Sequence, residues 1–117
     1  MIIRKAERTT QRAVRFGGKG EVAMTPILPS DPAAFFNNGR LFSDVELAPG
    51  QTFGDHDHHG EFEVLYILSG EGVCNNNGVR EPVSAGDVCI CNDGEEHGME
   101  NTGTGPLRYI ALILNTK

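Results

Sequence analysis

Turn-forming residues interrupt this chain of 117 residues so often that no segment keeps an apolar period of 3.6 over three helical turns. In the second half of the chain, short runs at 71–74, 79–83 and 88–91 alternate with turns rich in glycine and asparagine. The turn between the first two runs contains Asn77 and Gly78, a pair suited to a type I′ hairpin. Many short strands at even spacing predict an all-β fold, either a sandwich or a barrel of the jelly-roll kind.

The rest of the chain follows the same pattern. Residues 21–28 and 40–48 are predicted strands that end at prolines, and 107–114 is the most apolar strand and closes the fold. Between the first two strands we expect one helical turn, capped by Ser30 or Asp31 and with a proline at its first position.

One stretch concentrates the residues that carry chemistry. His56 and His58 are two residues apart, so on an extended chain both side chains leave the same face. Glu63 follows after a break at Gly60 and leads into an apolar run rich in β-branched residues. Two imidazoles and a carboxylate on one sheet face suit a first-row transition metal that takes a further ligand, and His97 offers one.

The net charge of −6 conceals an uneven distribution. Residues 1–20 carry six of the ten basic side chains and one of the sixteen acidic ones, so the remainder is strongly acidic. Most of the surface would repel a nucleic acid, and only Phe16 places an aromatic ring among the basic residues, so we expect no nucleic-acid partner. The basic segment is expected to contact acidic protein surface, on its own barrel or on a second subunit. We predict a homodimer with residues 1–28 against the partner's barrel.

The composition also indicates the compartment. No apolar run approaches the roughly 18 residues of a membrane span, and the N-terminus lacks a signal-peptide pattern. Cys74, Cys89 and Cys91 are odd in number, and the last two share a strand face at a spacing unsuited to a disulfide. We expect reduced thiols in a cytoplasmic protein with no membrane partner.

The histidine-rich stretch resembles the first motif of the cupin family, G-x5-H-x-H-x4-E-x6-G. All of its fixed positions are present: Gly50, His56, His58, Glu63 and Gly70. The second cupin motif, G-x5-P-x-G-x2-H-x3-N, is met at Gly86, Gly94, His97 and Asn101, with Asn92 in place of its proline. The flanking strand pattern extends the resemblance to residues 38–114. Residues 1–37 are expected to form an N-terminal arm and strands of the same domain.

Within that family the chain is similar to small single-domain microbial cupins described as oxalate-decarboxylase-like or mannose-6-phosphate-isomerase-like. The resemblance implies a double-stranded β-helix, the jelly-roll barrel of cupins. It also implies one divalent metal per subunit, held by His56, His58, Glu63 and His97. Nitrogen and oxygen donors without thiolate suit Mn, Fe, Co, Ni or Zn, and Mn or Fe is favoured. The alternative, four surface residues of an acidic loop, is disfavoured because all four fall in register.

The neighbours of these residues are predicted to lie on different sides of the sheet. Three acidic side chains are expected to point away from the ligand face: Asp55, Asp57 and Glu61. His59 has the opposite parity to His58 and is expected to face solvent. Leu65 and Ile67 share the parity of Glu63 and predict an apolar wall beside the metal.

Other candidate functional residues lie near the second motif and on the predicted strands. Glu95 and Glu96 precede His97 at the barrel rim, and either is a candidate catalytic proton carrier, although solvated turn carboxylates are commoner. The conceivable anchors for an anionic substrate are Arg40, Arg80, Arg108 and Tyr109. Cys91 is expected to be a buried, inert thiol.

Three functions remain open. The first is a metalloenzyme acting on a small anionic oxygenated substrate, an organic acid or sugar derivative that chelates the metal. The second is a non-catalytic, metal-dependent small-molecule binding or sensor module, and the third is a structural barrel with a vestigial site. The intact ligand set weighs against the third, and the lack of room for a signalling domain weighs against the second. An enzyme is favoured, but decarboxylation, dioxygenation and isomerisation are all compatible with this fold.

Overall fold

The computed structural model describes residues 1–117 and is built mainly from short β-strands. The strands are β1 (Gln11–Ala13), β2 (Val22–Pro26), β3 (Gly39–Leu47), β4 (Thr52–Asp57), β5 (Glu61–Ser69), β6 (Glu71–Asn76), β7 (Val79–Ser84), β8 (Val88–Cys91), β9 (Glu96–Asn101) and β10 (Leu107–Asn115). Two 3-10 helices lie at Lys5–Glu7 and Pro32–Phe35. The ends of the predicted strands differ from the observed ones by at most two residues.

The strands form two antiparallel sheets, which confirms the predicted jelly-roll fold. The larger sheet has the order β1-β2-β3-β10-β5-β8, and the smaller has the order β4-β9-β6-β7. Neighbours in the larger sheet are often distant in sequence, because β10 returns to lie between β3 and β5.

The core lies between the sheets and follows strand alternation. In β10 the inward side chains Leu107, Tyr109, Ala111 and Ile113 are buried, while the residues between them are more exposed. The smaller sheet contributes buried residues such as Met99. Burying a large apolar side chain stabilises the fold by about 1.5–3 kcal/mol, so this alternation fixes which face of each strand turns inward.

Local turn chemistry agrees with the sequence-based predictions. Asn77 and Gly78 both have positive φ, 52° and 83°, as a type I′ turn requires. Asp31, rather than Ser30, caps the second 3-10 helix, and its carboxylate accepts a hydrogen bond of 3.0 Å from the backbone N–H of Ala33.

The N-terminal arm lies against its own barrel. β1 extends the larger sheet by pairing with β2, and Arg8 forms an ion pair of 2.8 Å with Asp44 on β3. The following residues 14–21, here called the arm loop, run across β4. Thr52 donates its backbone N–H to the carbonyl of Lys19 at 3.0 Å and accepts from the backbone N–H of Lys19 at 2.7 Å through its hydroxyl. The structure contains no helix with the length and apolar character needed to cross a membrane.

Candidate metal centre

Strand pairing brings the two histidine-containing segments together. β4 and β9 are paired so that His56 lies opposite His97. His58 follows the end of β4, and its carbonyl accepts a hydrogen bond of 2.7 Å from the backbone N–H of Gly94 in the turn before β9. Glu63 lies on β5, at a position whose side chain is buried. The predicted ligands are therefore assembled by the antiparallel register and by one turn.

These four side chains form what we call the metal cluster: His56, His58, Glu63 and His97. One ligand atom of each lies within 4.8 Å of the others. The Oε1 atom of Glu63 is 2.6 Å from His97 Nε2, 3.1 Å from His58 Nε2 and 3.7 Å from His56 Nε2. Glu63, His58 and His97 are buried. All three Nε2 atoms converge on the carboxylate.

The other ring nitrogen of two histidines is held by a second contact. His56 donates its Nδ1–H to the carbonyl of Gly54 at 2.8 Å. His58 donates its Nδ1–H to the carboxylate of Glu61 at 2.5 Å. These bonds fix the ring orientation and leave the Nε2 lone pair free to act as a metal ligand. The Nδ1 of His97 is buried and has no hydrogen-bond partner.

The position of Glu61 corrects the sequence-based prediction. The sequence-based prediction placed Glu61 away from the ligand face, but its carboxylate contacts His58 directly. Arg40 donates two hydrogen bonds, of 2.8 and 2.7 Å, to the same carboxylate. The prediction was wrong because Glu61 is the first residue of β5 and lies two positions before Glu63, so both side chains leave the same face of the strand. Asp57 is exposed and pairs with the equally exposed His59, which confirms that His59 faces solvent.

The surroundings of Glu63 stabilise its ionised form. Burial raises the pKa of Glu63, but hydrogen bonds from His56, His58 and His97 outweigh it and hold the pKa well below its usual range. The pKa of His58 is raised, chiefly by its hydrogen bond to Glu63; burial opposes the rise and Glu61 adds to it. Protons and metal ions therefore compete for the same lone pairs.

The donor geometry fits a divalent metal ion. Ligand atoms about 2.0–2.2 Å from one ion lie about 3–3.5 Å apart. The Nε2 atom of His97 is 3.1 Å from that of His56 and 3.3 Å from that of His58. In neutral His56 and His58, whose Nδ1–H is already donated, the converging Nε2 lone pairs cannot satisfy one another. A cation at their centre would satisfy them together with Glu63.

The metal cluster lies between two cavities. An inner cavity of about 20 Å³, room for about one water, is lined mainly by apolar side chains that include Leu65 and Tyr109. A second cavity of about 450 Å³, here called the mouth cavity, is lined by residues from the N-terminal part of the chain, such as Arg15 and Phe16. His56 and Glu63 line both. Leu65 therefore forms part of the predicted apolar wall, whereas Ile67 is buried in the core and lines neither cavity.

The structure separates the predicted anion anchors. Tyr109 lines the inner cavity and Arg40 the mouth cavity. Arg80 pairs with Glu100 at 2.7 Å, and Arg108 pairs with Asp44 at 3.1 Å; neither lines the two cavities around the metal cluster.

The two candidate proton carriers also lie outside both cavities. Glu95 accepts hydrogen bonds of 2.8 Å from the backbone N–H of Asn92 and 2.7 Å from the side chain of Asn77. Glu96 is exposed. A catalytic role for Glu95 or Glu96 remains a prediction.

The three cysteines are buried and unpaired. Burial and the nearby Glu63 carboxylate raise the pKa of Cys91 to about 11, which keeps this thiol protonated and weakly nucleophilic. Cys91 is thus the buried, weakly reactive thiol that the sequence predicted.

Asn101, the last fixed residue of the second motif, organises a loop. Its buried side chain donates hydrogen bonds to the carbonyls of Leu47 at 2.8 Å and Gly105 at 2.9 Å. It also accepts one of 2.9 Å from the backbone N–H of Gly103. These three hydrogen bonds satisfy the side-chain amide and hold the loop before β10. Asn101 therefore stabilises the fold and does not take part in the metal cluster.

Sequence reasoning missed Arg15 and Phe16. The Phe16 ring stacks on the imidazole of His56, with centroids 4.3 Å apart and planes 12° apart. Arg15 lines the mouth cavity. Both residues precede the motifs by more than thirty positions, and only the path of the arm loop places them at the metal cluster. The lone aromatic among basic residues was the one signal that the sequence offered.

Comparison with known proteins agrees with this geometry. Residues 43–113 match the sequence profile of the Cupin domain family. The oxalate-binding protein of Thermotoga maritima is 46% identical over 115 residues, which cover 97% of this chain and 93% of that protein. The crystal structure of a predicted oxalate decarboxylase from Thermotoga maritima, also 46% identical, has a TM-score of 0.92 and covers 98% of this chain and 99% of that one. The tetracenomycin polyketide synthase protein TcmJ of Streptomyces glaucescens is 27% identical over 99 residues, 85% of this chain and 62% of that protein.

Proposed function

This chain belongs to the cupin family, and on that basis we propose that it holds one divalent metal ion per subunit and binds a small oxygen-donor anion at that ion. The ion would be held by the metal cluster, His56, His58, Glu63 and His97. The observation that carries the proposal is the convergence of these four donors beside an open cavity of about 450 Å³, which three of them, His56, His58 and Glu63, line. A cavity of this size accepts a small organic acid.

Charge supports an anionic ligand. Three neutral imidazoles and one carboxylate leave a divalent ion with a net positive charge, which attracts anions locally although the protein as a whole is acidic. The name of the Thermotoga maritima relative, an oxalate-binding protein, supports a small dicarboxylate as the ligand class. We therefore take oxalate as the first probe, followed by 2-oxo acids and sugar phosphates.

The donor set supports the choice of metal. Three nitrogens and one oxygen without thiolate suit Mn or Fe, and Zn, Ni or Co are compatible. A bound ion of this kind supplies Lewis acidity, polarising an oxygen of the ligand. The protein's own residues would orient the ligand and, through the apolar inner cavity, limit access of water to it.

Binding is the function that the geometry supports best. Glu63 is the only carboxylate that lines either cavity, and it belongs to the metal cluster. Outside the metal cluster, the only acidic side chain that lines either cavity is Tyr109, and burial raises its pKa well above the usual value, which makes it a weak proton donor. Turnover as a decarboxylase, dioxygenase or isomerase remains the second proposal, and in it Glu95 or Glu96 would act from the rim after a local rearrangement.

Titration of Mn-loaded and Fe-loaded protein with oxalate, 2-oxo acids and sugar phosphates tests the proposal. We expect oxalate to change the metal-centred spectrum of the wild type and to leave metal-depleted Glu63→Gln protein unchanged. Product analysis in the same samples distinguishes binding from turnover. If none of these anions alters the metal spectrum of the wild type, the proposed function is wrong.

The homodimer and the cytoplasmic location belong to the same proposal. Tyr66, Val88 and Ile90 are exposed on β5 and β8, and β8 is an edge of the larger sheet, which supports a partner contact. The unpaired cysteines support a reducing compartment. The sequence-based prediction instead placed the dimer contact in residues 1–28, at the opposite edge of the same sheet, and light scattering of protein lacking residues 1–20 tests that contact. If the truncated protein remains dimeric at the same concentration, the arm is not the contact.

A further inference from the structure

Arg15 is a cation of the mouth cavity that no protein group uses. Its Nε atom is buried and has no hydrogen-bond partner. The other cation that lines this cavity, Arg40, makes two hydrogen bonds to Glu61 and is neutralised by it. A buried donor without a partner is unfavourable, and the cost is removed when a ligand accepts its hydrogen bond.

The backbone of the arm loop holds Arg15 next to the metal cluster. The carbonyl of Arg15 accepts hydrogen bonds from the backbone N–H groups of Gly18, at 2.9 Å, and Gly54, at 3.0 Å. The carbonyl of Gly54 in turn accepts the Nδ1–H of His56. A Cβ atom at Gly54 would collide with the carbonyl oxygen of Phe16, so this close approach requires glycine. Arg15 is thus connected to a metal ligand through a single residue.

Phe16 fixes the same loop from the other side. Its ring stacks on His56, and its backbone adopts the left-handed conformation with φ of 49°. A non-glycine residue keeps this conformation only where its surroundings impose it, and such residues are concentrated at ligand sites. The loop is therefore held in a defined conformation over the metal cluster.

Charge determines which anion fits. A divalent ion with Glu63 leaves one net positive charge, and Arg15 adds a second, whereas Arg40 and Glu61 cancel each other. We propose that Arg15 is the second anchor of the bound anion, and that it makes the site select small dianions, such as dicarboxylates, over monoanions. This inference rests on the proposed metal-dependent binding of an anion. Arginine suits the position because its planar donors match a carboxylate, and charge-assisted hydrogen bonds are strong.

Calorimetric titration of the Mn²⁺-loaded full chain with oxalate and with glycolate tests the inference. Both ligands chelate through two oxygens, but only oxalate is a dianion. We expect Arg15→Gln to weaken oxalate binding by about 10- to 100-fold and glycolate binding clearly less. Elemental analysis after titration should show an unchanged metal content, which separates loss of the anion site from loss of the metal.

Arg12→Gln is the matched control. This substitution removes the same charge as Arg15→Gln. Arg12 is exposed on β1 of the same arm and does not line the mouth cavity. We expect it to change oxalate affinity by less than about twofold, because exposed charges are screened. Arg15→Lys keeps the charge without the planar donors and should lose part of the oxalate affinity. It also replaces Arg15→Gln if the latter does not fold.

The outcomes are distinguishable. If wild-type protein binds neither anion, the proposed function fails, and this inference fails with it. If wild type binds oxalate and Arg15→Gln binds it equally well, or loses oxalate and glycolate to the same extent, Arg15 is not the dianion anchor although the metal site stands. If Arg12→Gln lost as much oxalate affinity as Arg15→Gln, the effect would come from the net charge of the protein and not from a specific contact. That result would likewise overturn the inference.

Discussion

At the floor of the mouth cavity, the metal cluster lies on or next to strands whose register is fixed by backbone pairing, and two of its histidines are held by a second contact. At the entrance, Arg15 and Phe16 lie on a loop that a few hydrogen bonds attach to β4. The floor lies within residues 43–113, which match the cupin profile, and the entrance residues lie outside them. The donors of the metal cluster thus belong to the barrel, whereas the proposed anion anchor lies on a segment outside the matched profile.

The largest effect is expected at the floor. His58→Ala removes a buried donor of the metal cluster, and Glu63→Gln replaces its only carboxylate with a neutral amide. We expect Mn²⁺ affinity to fall by more than about 100-fold in each variant. Elemental analysis after dialysis against Mn²⁺ measures it. His59→Ala is the control, because this neighbouring histidine is exposed and contacts only Asp57. Equal metal content in the wild type and in both cluster variants would rule out the site.

Glu61 lies between the floor and the entrance, since it contacts both His58 and Arg40. Glu61→Gln should weaken Mn²⁺ binding by about 10- to 100-fold, because it removes the carboxylate that orients His58. Asp57→Asn, at an exposed acid nearby, should change it little. Calorimetry of both variants is the measurement. The same affinity in Glu61→Gln as in the wild type would mean that strand register alone positions His58.

The floor should also respond to pH. The pKa of His58 is raised, mainly by Glu63, so its proton competes with the metal at higher pH than for an ordinary histidine. Below that raised pKa, Mn²⁺ affinity should fall by about tenfold per pH unit for each proton displaced, and above it the affinity should level off. Glu61→Gln removes one cause of the rise and should move the bend to lower pH. A flat profile between about pH 8 and about pH 6 contradicts this account.

The smallest effect on Mn²⁺ affinity is expected at the entrance. Phe16→Ala removes a ring stacked on His56 and should weaken Mn²⁺ binding by about 2- to 10-fold at most, since aromatic pairs contribute about 0.5–1.5 kcal/mol. Phe36→Ala is a close control, because Phe36 is also exposed and has nearly the same φ, 50° against 49°, but does not line the cavity. A loss in Phe16→Ala as large as that in Glu63→Gln would mean that the arm loop is part of the metal site itself.

The sequence by itself determined the strands, the turns and the identity of the metal cluster. Strand formation follows from local alternation and turn chemistry, and Asn77 with Gly78 specifies its hairpin without help from distant residues. The spacing of His56, His58 and Glu63 carries information about one sheet face because the side-chain period of a strand is two.

Only the tertiary structure decided what surrounds the metal cluster. Glu61 shares the strand parity of Glu63, but its contact with His58 depends on how the chain turns between β4 and β5. Arg15 lies at the entrance because the arm loop crosses β4 at Gly54, a contact between residues nearly forty positions apart. Local periodicity encodes which face of a strand a residue takes, but long-range packing sets which loop covers that face.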